Sequence, residues 1–217
     1  ATGFATGAKV LGIQVPPQPT GDGRDGSGIK VVANLNGDSP IPDVQFDPTN
    51  VQSDMFNFST STTVIDERGG EHVVTVVFVK MPDAPPQIDA ATGQPIPGTS
   101  VRNRWQFYSV VNGQEVGGPP ENQIAIGGGF LQFTENGRLL TASNGSFVQP
   151  APGAVGPDGQ LTPPGPLRLV EAPTPVDGTP QVTIPYTENP QVIGLNFGLG
   201  SNPLDPADER TGLEGVT

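Results

Sequence analysis

The chain has 217 residues and a formal net charge of −12, with only ten Lys plus Arg, so it offers no basic patch to neutralise phosphates. That makes nucleic acid and anionic membrane poor partners. Cysteine is absent, which removes disulfides and thiolate chemistry, and the 30 Gly and 26 Pro residues make up about a quarter of the chain. Val, Leu, Ile and Phe nevertheless cluster in strand-length runs, enough for one or two modest β cores but not for a large enzyme-like one. No apolar run approaches about 18 residues, and no signal-peptide pattern is present.

In chain order, residues 1–28 read as a connector, with a short strand around Lys9 to Val15 and a Gly/Asp-rich run from Thr20 to Gly28. Strands are predicted at about 29–35, 58–67 and 72–80, followed by a Pro-rich, aperiodic segment, 81–103, that reads as an insertion. Strands resume at about 104–111, 129–134 and 138–142, then near 167–171, 181–185 and 192–198. A second insertion is expected within 142–180, most Pro- and Gly-rich over 149–166. Asn112-Gly113, Asn136-Gly137 and Asn144-Gly145 are read as hairpin turns. No segment joins caps to a 3.6-residue apolar period beyond two turns, although Asp205 to Arg210 could form one helical turn. The fold class is therefore all-β: an antiparallel sandwich or flattened barrel with Pro/Gly-rich loops.

The strongest local signal is NFSTSTTVIDERGGEHVVTVVFVK, residues 57–80, in which two β-branched runs flank Gly69-Gly70. A two-residue turn there pairs Ile65 with Val74, Thr63 with Val76 and Ser61 with Phe78, and sets Glu67 opposite His72. Val74 and Val76 then face the core, with Val77 on the opposite face.

Several motifs invite a chemical reading, each with a simpler structural one. Gly21-Asp22-Gly23-Arg24-Asp25-Gly26 has the letters of a dinucleotide loop, but it runs into a strand rather than opening a helix. Asp22, Asp25 and Ser27 suggest calcium, yet Arg24 stands where the spacing needs an oxygen donor. Asp205, Asp208 and Glu209 form a second acidic group of similarly weak spacing. His72 is the single histidine, so any Ser-His-Asp triad would have to use it. Asp66 and Glu67, adjacent on a strand, point to opposite faces and cannot flank one glycosidic bond. Asn57-Phe58-Ser59 and Asn144-Gly145-Ser146 match the glycosylation sequon, and the second also reads as a turn. Trp105, Phe107 and Tyr108 could stack a sugar, but alternation places Trp105 and Phe107 together in the core, with Tyr108 on the other face. The expectation is no enzyme activity and no catalytic, cofactor-binding or metal-binding residues.

Five stretches, in order, carry a resemblance. The strand from Ile29 ends in Asn34-Leu35-Asn36-Gly37-Asp38. The hairpin runs through Ile65-Asp66-Glu67-Arg68-Gly69-Gly70, then His72, and closes in Phe78-Val79-Lys80. Trp105-Gln106-Phe107-Tyr108 follows, then Leu131-Gln132-Phe133-Thr134-Glu135-Asn136-Gly137-Arg138-Leu139. Last come Ile193-Gly194-Leu195-Asn196-Phe197-Gly198 and Gly215-Val216-Thr217. Together these resemble the outer domain of the bacterial flagellar hook protein, with Ile65 in place of a tyrosine and Gly70 in place of an asparagine.

The resemblance implies an outer β domain over 29–198, with 1–28 and 199–217 as connector and return segments to an inner β domain. It implies a structural subunit of the flagellar hook, exported by the flagellar apparatus to the cell exterior, whose partners are other copies in a helical tube. The helices that build the tube wall in that family are not in this stretch, so the piece alone is expected to be monomeric. Two alternatives stay open: another axial protein such as the distal rod, and an extracellular carbohydrate-binding β-sandwich.

Overall fold

A computed structural model of the chain describes residues 28–83, 88–94, 103–133, 137, 139–151, 165–172, 180–185 and 190–197. Nine strands are present among them: β1 (Ile29–Lys30), β2 (Phe58–Ile65), β3 (Glu71–Lys80), β4 (Arg104–Asn112), β5 (Gln123–Phe133), β6 (Leu139–Val148), β7 (Arg168–Glu171), β8 (Gln181–Ile184) and β9 (Gln191–Asn196). The one helical element among the described residues is a single 3-10 turn, Gly113–Val116. Strands β2 to β7 form a six-stranded antiparallel meander in chain order, and β1, β9 and β8 form a three-stranded sheet. The all-β sandwich holds, with one departure from antiparallel pairing: β1 runs parallel to β9.

Alternation explains why these segments stack. From Ile29 to Leu35 every second side chain (Ile29, Val31, Ala33, Leu35) is buried, and Ile193, Leu195 and Phe197 repeat the pattern along β9. They pack against Val74, Val76, Phe78, Trp105, Phe107 and Leu131 of the larger sheet to form the main core. Phe197 meets Phe107 at 4.7 Å and Phe78 edge-on at 6.4 Å.

Val77 lies on the face opposite Val74 and Val76, as the sequence reading has it, but that face is covered too. It is 2% exposed and belongs to a second buried cluster with Val51, Val79, Tyr108, Val110, Ala125 and Leu169. The segment before β2 supplies the cover: Phe46 stacks on Tyr108 at 3.7 Å, and Phe56 packs nearby. This segment is anchored where β5 lacks a β6 partner. There Val51 N–H donates to Gln123 O and Ala125 N–H to Pro48 O. A strand with both faces covered reads as a continuous apolar run, as Val76 to Val79 does.

The hairpin register also differs. Thr62 faces Val74, Thr60 faces Val76 and Val64 faces His72, so paired numbers sum to 136 rather than 139. Asp66 N–H donates to Gly70 O and Gly69 N–H to Asp66 O, with Gly69 at φ 83°. This is a three-residue loop built on a type I turn, with its glycine in the left-handed region forming a bulge. The two-residue turn loses because the Asp66 side chain holds the longer one: its Oδ1 accepts from Arg68 N–H and Gly70 N–H. An odd shift exchanges faces, so the inward residues of β2 are Thr60, Thr62 and Val64 instead of Ser61, Thr63 and Ile65.

One glycine signal was misread as a turn, and one run of glycines extends a strand beyond its expected start. Asn144-Gly145 lies inside β6, and Gly127, Gly128 and Gly129 lie inside β5, within a stretch assigned no strand before residue 129. Residues 143–148, counted with an insertion, continue β6, whereas β7 falls where a strand was expected near 167–171. A Cβ at Gly145 would sit 2.6 Å from Leu169 Cγ, and one at Gly127 2.7 Å from Val182 Cγ2. One at Gly129 would meet Ser143 O and the Phe107 ring. These glycines let neighbouring layers approach rather than turning the chain. At Asn112-Gly113 the chain enters the 3-10 turn, capped by the Asn112 side chain on Gln114 N–H at 2.9 Å, and not a two-residue hairpin.

Candidate functional site

The titratable cluster with the most contacts lies at the rim of the hairpin. His72 leaves β3 on the core side, and its Nε2 is 3.0 Å from Asp66 Oδ2, not beside Glu67, which is exposed. Its Nδ1 is 3.7 Å from Glu115 Oε2 on the 3-10 turn. A hydrolytic triad needs one imidazole nitrogen on an acid and the other on the nucleophile. Here both nitrogens face carboxylates, so the ring ties the hairpin to the connection that follows β4. Asp66 is only 7% exposed. The His72 hydrogen bond, then the Gly70 amide, holds its carboxyl below the ordinary 3.8.

Both sequon asparagines are structural. Asn57 Nδ2 donates to Pro40 O at 2.7 Å while its Oδ1 accepts from Lys80 N–H at 2.7 Å, pinning the covering segment to β3. Asn144 Oδ1 accepts from Gln181 N–H at 2.8 Å, joining the two sheets.

The aromatic trio divides as alternation requires. Trp105 and Phe107 are each 1% exposed in the main core, and Tyr108 is 4% exposed under Phe46 in the second. A sugar platform presents an open ring face, which none of the three does. Burial pushes the Tyr108 phenol well above its ordinary 10.0, and its hydroxyl donates to Gln106 Oε1 at 3.0 Å.

Lys80 was read from the sequence only as the end of the hairpin landmark, not as a charged side chain in the core. It is 7% exposed, with Nζ 5.1 Å from the Trp105 ring centre and 3.1 Å from Asn103 Oδ1. Burial lowers its pKa, partly offset by Asp83 and Asp38. The signal available was its place at the end of the Val76 to Val79 run.

A groove of about 310 Å³ lies on the covered face between the 41–48 segment and β7, lined by Ile41, Phe46, Tyr108, Phe147 and Leu169. Its lining is mainly apolar, with no paired acid and base. Among the described residues, no three His, Cys, Asp or Glu side chains converge in a metal-like group. The Gly21 to Gly26 run, Asp22, Asp25 and Ser27, and the acidic group Asp205, Asp208 and Glu209 lie outside the described residues.

What the geometry presents is a doubly covered sheet with polar edges and loops. The family model described as flagellar basal body protein FlaE D2 domain matches residues 34–213. A search of curated proteins finds no match to the chain.

Proposed function

We propose that this chain, which belongs to the flagellar basal body protein FlaE D2 domain family, is an outer domain of the hook, the flexible joint between rod and filament. It is a flagellar hook-type structural protein. The finer assignment is that the domain makes shifting contacts with neighbouring copies in a helical tube outside the cell, and that these contacts set curvature.

The observation that carries this reading is the family match over 34–213, which takes in every described strand but β1. Physical reasoning supports the rest. A bent rotating tube shortens each row of subunits on the inside of the curve and lengthens it on the outside, once per turn. Sliding across an apolar interface exposes buried area at about 25 cal/mol per Å². Polar, water-bridged contacts shift at much lower cost. Two cores take up much of the apolar side-chain surface, large apolar side chains such as Val32, Val73 and Leu140 stay exposed singly, and the rims carry Asn, Asp, Gly, Ser and Thr.

The test is location. Antibodies raised against this chain should place immunogold label on the hook in electron micrographs of intact flagella. Label confined to the rod would favour the distal-rod alternative, and binding on a glycan array would favour the carbohydrate-binding one.

A further inference from the structure

The six-stranded sheet ends in two strands that are each paired on one side only among the described residues: β2, by β3, and β7, by β6. Open strand edges are normally blunted by proline, charge or a bulge. Phe58–Ile65 is FSTSTTVI, eight residues with none of these devices. On a chain of net charge −12 it is a neutral stretch of backbone. The Asp66–Gly70 pairing sets the alternation of the ladder, so the N–H and C=O groups of Ser59, Ser61 and Thr63 point away from β3.

We propose that the outer edge of β2 receives β7 of a second copy of this chain, head to tail, and that this contact can step along β2 two residues at a time. Direction favours the pairing. Six strands alternate from β2 to β7, so translating one copy across the sheet brings β7 against the next β2 antiparallel, the stronger ladder. The contact uses two different edges and does not close on itself, which suits a helical row rather than a two-fold dimer.

Length and composition supply the step. Arg168–Glu171 is four residues long and β2 is eight; Ile65 O already accepts from Gln191 Nε2 at 3.2 Å, and the seven residues before it leave room for more than one register. A one-residue slip exchanges faces, whereas a slip of two, about 6.6–6.8 Å, restores the pleat. Along Ser59-Thr60-Ser61-Thr62-Thr63 a two-residue step puts a hydroxyl side chain where another had been. Neighbouring registers are therefore close in energy, and the row lengthens or shortens in units while its backbone bonds re-form. The proposal rests on the hook reading for its purpose, but the pairing itself is a property of the chain.

The absence of cysteine makes trapping unambiguous. Val170 shares the core-side face of the sheet with Thr60 and Thr62 through the intervening registers. Two double variants of the whole chain, Thr60→Cys with Val170→Cys and Thr62→Cys with Val170→Cys, would be oxidised at high protein concentration and run on non-reducing gels. Circular dichroism and melting first establish that each is folded. Both should give ladders of linked oligomers, with yields within about threefold. Each single variant should stop at dimers, and Thr63→Cys with Val170→Cys, on opposite faces, should form no ladder. A ladder from only one of the two pairs overturns the two-residue step. No ladder from either, or an equal ladder from the opposite-face pair, overturns the edge pairing. None of these results bears on immunogold location, so failure here and failure of the hook reading are separable.

Discussion

The Asp66 carboxylate accepts from Arg68 N–H, Gly70 N–H and the His72 ring, so one side chain sets the turn, the register behind it and the link toward Glu115. Its pKa lies below the ordinary 3.8 in the folded state. The contribution is therefore present above that value and is lost as pH falls through the folded one. Asp66→Asn should lower the melting temperature near neutral pH, and the gap to wild type should close on acidification below pH about 4. Thermal melts across pH 3 to 7 check this, and a gap independent of pH would mean the charge is not what holds the loop. Glu67→Ala, by contrast, should leave melting unchanged. The sequence pointed to a structural His72 but to the wrong acid. Gly69-Gly70 fits a two-residue turn on letters alone, and only the side-chain bonds of Asp66 choose the longer one.

At the scale of elements, the strands with β-branched alternation were legible and their surroundings were not. β3 and β4 were read within a residue of their observed bounds. The second layer was missed because Phe46, Val51 and Phe56 follow no strand period, yet they bury Val77 and Tyr108. Val76→Asp and Val77→Asp should consequently both be severe, each costing several kcal/mol by burying an unpaired carboxylate. Val73→Asp, at a side chain 56% exposed, should stay within about 0.5 kcal/mol of wild type. Denaturant melts of the three decide it, and a mild Val77→Asp would mean the 44–56 segment does not cover the sheet. Glycine was the other blind spot. In Gly127-Gly128-Gly129 and Asn144-Gly145 it signals close approach by Val182, Phe107 and Leu169 rather than a turn, a distinction that depends on neighbours distant in sequence. Gly129→Ala should destabilise by about 1–3 kcal/mol through overpacking, measurable in the same melts. A neutral result would mean that β6 can move away from β5.

For the whole molecule, the sandwich class was legible from strand-length apolar runs without helical periodicity, and the family from five short stretches in order. The partner sheet was harder, because β1, β8 and β9 come from opposite ends of the described chain and meet only after folding. On the proposed reading, function belongs to the surface left once both cores are closed. Polar rims around two closed cores suit the weak contacts that the proposed flexing tube would need. The most direct measurement is electron microscopy of hooks from a strain whose hook subunit lacks residues 29–198. If the domain sets curvature, tubes should still form, but straight or wrongly curved, with poor swimming. Hooks of normal curvature would contradict that role, and an absence of tubes would assign the domain to assembly instead.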